Sequence, residues 1–254
     1  MKIEDNIETG NVTLQTQIHY QHTNKMGTVY RPFGPTIFKC KISDDMLQNL
    51  TEACARVKAK EQSEVDFRGN LAGNISDERF LMDDVSEDTL IEMKEWCAVY
   101  LAMLDNKSIT QADHYDRGLH LESLWVNFQK AFEWNPPHQH TGDMSFVIYI
   151  DNPVDLDKEM QHPTQQGTAK TAGKIRFRYG EVMPMTDNQI RITPQKGDML
   201  IFPNWLEHQV FPFTEEGIER ISVAGNYGMD ATSPSGQAYR PGYKYKQADA
   251  IKDD

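Results

Sequence analysis

The sequence is poor in cysteine and in long apolar segments. Its three cysteines, Cys40, Cys54 and Cys97, are odd in number and form no CxxC pair, so we expect reduced thiols rather than a disulfide framework. No apolar run approaches the roughly 20 residues that cross a bilayer, and residues 1–10 are polar and acidic rather than signal-like. These absences predict a soluble protein of the cytoplasm, with no membrane partner.

Basic residues are also in deficit. The chain has 26 Lys and Arg against 38 Asp and Glu, a formal net charge of -12. Nucleic-acid backbones and anionic membranes are bound mainly by basic surfaces. The charge therefore argues against nucleic acid as a partner, although it does not exclude a local basic patch.

Histidine is concentrated in residues 133–151, EWNPPHQHTGDMSFVIYID. In an extended segment alternate side chains share a face, so His138 and His140 can present imidazoles to one ion. Gly142 permits a turn that brings Asp143 back towards them. A metal site needs one more ligand from elsewhere in the chain.

A second polar group lies downstream. His208 falls between two strand-like runs, and Arg220 and Ser222 fall on one face of a later predicted strand. That face would carry a cation and a hydroxyl. Imidazole and carboxylate ligands suit Fe(II) with open positions, and a bidentate arginine suits a carboxylate.

The remaining pattern predicts a mainly β (α+β) protein. Helices are expected over 45–60 and 86–104 because apolar residues recur there at three- and four-residue spacing. From residue 121 onward, short strand-like runs alternate with turn signals, which favours antiparallel pairing in a sandwich or barrel. Residues 61–78 are predicted to be a long loop that either borders the active site or merely connects elements, and 155–171 to be an insertion.

A His-rich turn, a distal His and an Arg-x-Ser strand resemble the Fe(II)- and 2-oxoglutarate-dependent oxygenases. Within them the similarity is closest to a prolyl-4-hydroxylase-like branch found in tailed phages, with a PHxHxG turn before a SFVIY-like strand, and it covers roughly residues 121–227. The resemblance implies a double-stranded β-helix, or jelly roll, with N-terminal helices packed on one sheet. It implies one domain over 1–254, with N-terminal strands and helices (1–118), the catalytic core (119–228) and a C-terminal tail (229–254).

The resemblance also implies site roles. In the family a His-x-Asp/Glu pair and a distal His bind the metal, and a later Arg binds the distal carboxylate of 2-oxoglutarate. His208 and Arg220 correspond directly, but this chain has His140 where the family has a carboxylate. We expect His140 and His208 to be ligands, with His138 and Asp143 competing for the remaining place.

Further contacts to the cosubstrate are expected from Ser222, Tyr149 and Asn127. The implied cofactors are Fe(II), 2-oxoglutarate and O2, with ascorbate in support. The implied activity is hydroxylation of a C–H bond in a protein, peptide or small molecule, with a prolyl side chain as one candidate, in the host cytoplasm if the chain is phage-encoded. The alternatives are a cupin-like metalloenzyme that does not use 2-oxoglutarate and a non-catalytic jelly-roll structural or binding protein.

Overall fold

Two antiparallel sheets form the body of the protein in the computed structural model, which describes residues 17–22, 25–30, 34–104, 112, 115–164, 166–167, 170–184 and 187–230. The described strands are β1 (Gln17–His22), β2 (Lys25–Tyr30), β3 (Ile37–Lys41), β4 (Glu78–Phe80), β5 (Leu119–Gln129), β6 (Asn135–His138), β7 (Met144–Asp151), β8 (Ile175–Arg178), β9 (Gln189–Ile192), β10 (Asp198–Pro203), β11 (Glu207–Val210) and β12 (Arg220–Met229). Residues 1–16 of the predicted N-terminal part and residues 231–254 of the predicted C-terminal tail lie outside the described residues.

The strand order is that of a jelly roll. The larger sheet runs β1-β2-β3-β10-β7-β12-β5-β4 and the smaller one β6-β11-β8-β9. From β5 onward the chain crosses between the sheets at nearly every connection, and only β8 and β9 are consecutive within one sheet. Four adjacent strands of the larger sheet, β10, β7, β12 and β5, therefore interleave along the chain with the four strands of the smaller sheet. This connectivity makes a double-stranded β-helix, so the predicted fold class is confirmed.

Helices cover one face of the larger sheet. The described helices are α1 (Asp44–Lys58), α2 (Gln62–Val65), α3 (Glu87–Leu104) and α4 (Leu156–Gln161), with 3-10 turns at Arg68–Asn70 and Met82–Asp84. Ser43 caps α1 because its hydroxyl accepts the Met46 N–H at 3.0 Å. None of the described helices is both long and apolar enough to span a membrane.

The alternation of β7 separates two apolar layers. Phe146, Ile148 and Ile150 belong to the core shared with α1 and α3, whereas Val147 and Tyr149 belong to the core between the two sheets. The inner core also contains Trp125 and Phe177, among other apolar side chains. Because the inner layer lies between the sheets, polar groups on inward-facing positions are buried together there.

Two polar segments contain structure that the sequence pattern did not predict. The segment 61–78 ends in β4, whose Arg79 is buried and ion-paired with Asp77 while it donates to carbonyl groups at the C-terminus of α1. The segment 155–171 contains α4, where buried Glu159 accepts the Thr214 and Glu215 N–H groups. In both places the side chains that stabilise the element are charged, so no apolar period marks it.

Candidate active site

A cavity opens between the two sheets and encloses about 600 Å³ of atom-free space, its mouth included. Its walls come from the inward faces of both sheets and from the segment before β4. The polar residues on its walls are Asn127, Gln129, Asn135, His138, His140, Tyr149, His208, Arg220 and Ser222. All the predicted site residues except Asp143 therefore lie on one cavity.

Three histidines meet at one end of this cavity. His138 ends β6 and lies directly opposite His208 of β11, and His140 follows two residues later. One ligand atom from each residue lies within 4.8 Å of the others, and Nε2 of His140 is 3.1 Å from Nε2 of His208. Two nitrogens bound at right angles about 2.1 Å from one ion are about 3 Å apart, so this spacing fits joint coordination.

Backbone carbonyl groups orient two of the rings. Nδ1 of His138 lies 2.6 Å from the Pro136 carbonyl oxygen, and Nδ1 of His208 lies 2.9 Å from that of Leu206. A carbonyl oxygen only accepts, so each Nδ1 carries the proton and each Nε2 keeps its lone pair. This is the arrangement by which proteins fix the tautomer of a metal-binding histidine.

All three imidazoles are neutral at neutral pH. Burial lowers the pKa of His138. Burial and then repulsion from His138 lower the pKa of His140 to about 4. Burial, reinforced by both neighbouring histidines, lowers the pKa of His208 well below its usual value. The cluster therefore offers metal-binding lone pairs without first releasing protons.

Asp143 occupies a different position. It follows Gly142, whose φ of +93° makes the expected turn, but its carboxylate accepts the Met229 N–H at 2.8 Å. It is not part of the described group whose ligand atoms gather within 4.8 Å. The geometry favours His138 over Asp143 as the third ligand, and the choice stays a prediction for mutagenesis.

Asn204 fixes the turn that carries His140. Its carbonyl oxygen accepts the His140 N–H at 3.0 Å, and its side-chain amide donates to the His140 carbonyl oxygen at 3.0 Å. Asn204 directly follows β10, a strand of the larger sheet. The reciprocal pair holds the His140 backbone in place independently of any bound ion.

Arg220 supplies a buried positive charge at another part of the cavity. It is 2% exposed, and its guanidinium donates to the Gly173 carbonyl oxygen at 2.6 Å and to the Gln129 side-chain oxygen. Its Nε has no hydrogen-bond partner among the described residues. No described carboxylate forms an ion pair with it, and burial lowers its pKa. A buried cation without a counter-charge is costly, and an anionic ligand would remove that cost.

Three further polar side chains lie in a row beside Arg220. Asn127 faces Ser222 across β5 and β12, and Ser222 faces Tyr149 across β12 and β7. The Asn127 amide donates to the Ser222 hydroxyl at 3.3 Å, while the buried Tyr149 hydroxyl has no partner among the described residues. Burial raises the pKa of Tyr149 to about 12, so the phenol remains a hydrogen-bond donor.

Several site residues were not predicted from the sequence. Gln129 lies two positions after Asn127 on the same strand face, so extending the predicted strand by one residue would have found it. Asn135 was obscured by the Pro-Pro pair that follows it. Leu71, Ala72 and Ile75 line the cavity from the segment predicted as a loop, which favours the expectation that this loop borders the site.

Fold and site together define a jelly-roll protein with one cavity that holds a buried arginine and a three-histidine cluster, half-buried at His138 and His140 and buried at His208. Residues 123–226, from β5 into β12, match the family described as "Putative 2OG-Fe(II) oxygenase". The jelly roll of this chain is thus similar to the 2-oxoglutarate- and Fe(II)-dependent oxygenases. No curated protein sequence matches significantly.

Solved structures show the same general similarity at low sequence identity. A prolyl-4-hydroxylase from Pseudomonas putida is 16% identical with a TM-score of 0.46, over 76% of this chain and 92% of that one. AviO1 from Streptomyces viridochromogenes Tue57 is 11% identical with a TM-score of 0.48, over 78% and 91%. HygX from Streptomyces hygroscopicus, solved with nickel, 2-oxoglutarate and hygromycin B, is 9% identical with a TM-score of 0.44, over 76% and 82%.

Proposed function

We propose that this protein is an Fe(II)- and 2-oxoglutarate-dependent oxygenase that hydroxylates a C–H bond. The observation that carries the proposal is the buried Arg220 guanidinium, which has no described counter-charge and shares a cavity with three neutral histidines. One part of the cavity suits a divalent cation and another suits a carboxylate. 2-Oxoglutarate, whose keto-acid end chelates iron and whose far end is a carboxylate, has both groups.

The histidine cluster fits the metal. His138, His140 and His208 would hold Fe(II) through neutral nitrogens, which are suitable ligands for it. When bound, the iron supplies the oxidative chemistry: O2 and 2-oxoglutarate are converted to succinate and CO2 while one oxygen atom enters the substrate C–H bond. Backbone carbonyl groups hold His138 and His208 in the required tautomer, and Asp143 accepts the Met229 N–H.

The second part of the cavity fits the cosubstrate. Arg220 would bind the distal carboxylate, and its unpartnered Nε and the unpartnered Tyr149 hydroxyl would both acquire an acceptor. Ser222 and Asn127 would add hydrogen bonds at the same wall. Because burial excludes water from these groups, the charge-assisted bonds are stronger than they would be at the surface.

The substrate proposal is a peptidyl or protein side chain, with prolyl as the first candidate. Its support is the resemblance of the PHxHxG turn to the prolyl-4-hydroxylase-like branch of tailed phages. Ascorbate is proposed only as a supporting reductant. A host-cytoplasmic location is proposed on the same resemblance.

A second function is favoured by one specific feature. The cluster contains no carboxylate, and a three-imidazole site also suits a cupin-like metalloenzyme that does not use 2-oxoglutarate. Such an enzyme would have no need of Arg220, so cosubstrate binding separates the two functions.

The decisive experiment is calorimetry of 2-oxoglutarate binding with Mn(II) in place of iron. Arg220→Gln should weaken 2-oxoglutarate binding while Mn(II) affinity stays near that of the wild type. A charge-assisted hydrogen bond contributes about 1.5–3 kcal/mol, or roughly ten- to a hundred-fold in affinity. Arg68→Gln, which alters an exposed arginine paired with Asp66, is the control. Wild-type protein that binds Mn(II) but not 2-oxoglutarate would contradict the proposal and favour the cupin-like alternative.

A further inference from the structure

Three unpartnered acceptor oxygens lie on or next to one wall of the cavity. Oδ1 of Asn127, Oδ1 of Asn135 and Oε1 of Glu78 are buried and have no hydrogen-bond partner among the described residues. Glu78 is 1% exposed. Buried polar atoms in folded proteins are paired in the large majority of cases. Three unpaired acceptors at one wall indicate that a donor group completes this part of the protein.

The strand register brings these oxygens together. Glu78 of β4 lies opposite Asn127 of β5, and residues directly opposite each other in antiparallel strands point to the same side of the sheet. Asn127 lines the cavity, so Glu78 points to the inner side as well. It extends by one strand the row formed by Asn127, Ser222 and Tyr149.

Gly73 lies close to the side-chain oxygens of both Glu78 and Asn135. A methyl group added at Gly73 would lie 3.1 Å from Oε1 of Glu78 and would overlap Oδ1 of Asn135. Both oxygens therefore lie against the backbone of one glycine, whose neighbour Ala72 lines the cavity together with Asn135. The acceptors form one group at the boundary between β4, β6 and the preceding segment.

The charge around Glu78 is unbalanced. Glu133 and Asp66 repel its carboxylate, whereas Arg68 attracts it and forms its ion pair with Asp66. No described basic residue forms an ion pair with Glu78. Burial, and then Glu133, raise its pKa to about 7. A cation at this position would relieve the repulsion and stabilise the ionised carboxyl group.

We propose that Glu78, Asn127 and Asn135 form an acceptor subsite that binds a cationic nitrogen group, an ammonium or guanidinium, of the primary substrate. The subsite lies next to the Arg220 region on the same sheet, so neighbouring parts of the cavity wall would take a cation and an anion. The assignment to the substrate rests on the proposed oxygenase function, since 2-oxoglutarate has no donor nitrogen and leaves these acceptors unfilled. The subsite would select substrates that carry a basic group near the reacting C–H bond.

The first experiment is an NMR titration with methylguanidinium and with its neutral counterpart N-methylurea. Methylguanidinium should bind wild-type protein saturably and N-methylurea should not. Glu78→Gln should weaken methylguanidinium binding on the order of tenfold or more, because a hydrogen bond to a charged group is lost. Glu64→Gln, an exposed glutamate in α2, is the matched control and should bind as the wild type does.

Asn135→Ala provides a second variant, which removes an acceptor without changing the charge, and it should weaken binding by a smaller factor. If Glu78 is only a protonated internal donor to Asn135, the Gln variant keeps that donor and binding is unchanged. Unchanged affinity in both variants, equal binding of N-methylurea, or no saturable binding of methylguanidinium overturns the proposal. The titration needs neither iron nor 2-oxoglutarate, so failure of the oxygenase function would be seen separately.

The second experiment assigns the subsite to the substrate. Succinate formation should be stimulated more by proline-containing peptides with arginine than by the same peptides with citrulline, and Glu78→Gln should remove that preference. Equal stimulation by both peptide sets would overturn the assignment to a substrate cation. No stimulation by either set would instead contradict the proposed prolyl substrate, and the methylguanidinium titration would still decide whether the subsite binds a cation.

Discussion

His138 and His208 lie directly opposite each other across β6 and β11, and their ring centroids are 4.3 Å apart. The two strands are neighbours in the smaller sheet but distant in the sequence. The jelly-roll crossover, rather than any local motif, is therefore what creates the cluster. His140 joins it because the chain continues past the end of β6 into a turn held by Asn204.

His208→Ala should abolish tight binding of Mn(II) or Fe(II) without unfolding the jelly roll. His208 lies in one group with the other two histidines. Loss of one of three protein ligands should therefore abolish most of the metal affinity. Anaerobic metal titration followed by thermal melting measures both effects. A folded variant that keeps stoichiometric metal would show that His208 is not a ligand.

Asp143→Ala should lower the stability of the protein and largely keep metal binding, the reverse of the result expected for His208→Ala. The carboxylate accepts the Met229 N–H, so its loss leaves that donor unpaired and should reduce the free energy of unfolding by about 1–3 kcal/mol. Metal affinity should fall by no more than the roughly 10–100-fold typical of residues that only support ligands. Urea unfolding and metal titration of the same protein test this, and a near-complete loss of metal would restore Asp143 as the third ligand.

The fold was predictable because its signals are local and apolar. The helices predicted over 45–60 and 86–104 correspond to α1 and α3. Both have regularly spaced apolar residues, which are buried in one core together with the larger sheet. β4 and α4 were missed because charged residues stabilise them through partners far away in the sequence, Arg79 through the Val57 carbonyl oxygen and Glu159 through the Thr214 N–H. The polar residues around the cavity were found only in part. Glu78 lies beside Asn127 through cross-strand register, which depends on tertiary structure, whereas Gln129 follows from the alternation of β5 itself.

Tyr149→Phe should weaken 2-oxoglutarate binding without lowering the free energy of unfolding. The hydroxyl is buried without a partner among the described residues, so removing it should leave the free energy of unfolding unchanged or raise it by up to about 1–3 kcal/mol. 2-Oxoglutarate affinity should fall, because the proposed acceptor for that hydroxyl is the distal carboxylate. Calorimetry and urea unfolding give the two values, and a drop in stability with unchanged affinity would contradict the assignment.

The stability of the metal-free protein should depend on pH in two opposing ways. The pKa of His140 is lowered from 6.5 to about 4, so the unfolded state binds more protons and the histidine contributes stability that rises with pH across that window. The pKa of Glu78 is raised from 4.5 to about 7, so the folded state binds more protons and this contribution falls as pH rises across its window.

Glu78→Gln removes the contribution of Glu78 to the pH dependence of stability and leaves that of His140. The difference in unfolding free energy between the variant and the wild type should shift in favour of the variant as pH rises from 4.5 to 7, and should level off above that range. Urea unfolding at successive pH values measures it. A difference that stays constant with pH would mean that Glu78 titrates as an ordinary exposed carboxyl group does.

Gly73→Ala should destabilise the protein although the backbone at residue 73 does not require glycine, since its φ is not positive. The added methyl group would overlap Oδ1 of Asn135 and press on Oε1 of Glu78, and forced overpacking typically costs about 1–3 kcal/mol.

Gly69→Ala is a matched control in the same segment, because a methyl group there meets nothing within 4 Å. That change should be neutral or stabilise by about 0.4–1 kcal/mol through the unfolded state. Both variants should bind Mn(II) normally because the histidine cluster is untouched. Urea unfolding of the pair measures the contrast, and equal stabilities would show that the segment yields freely at the cavity wall and does not hold Glu78 and Asn135 together.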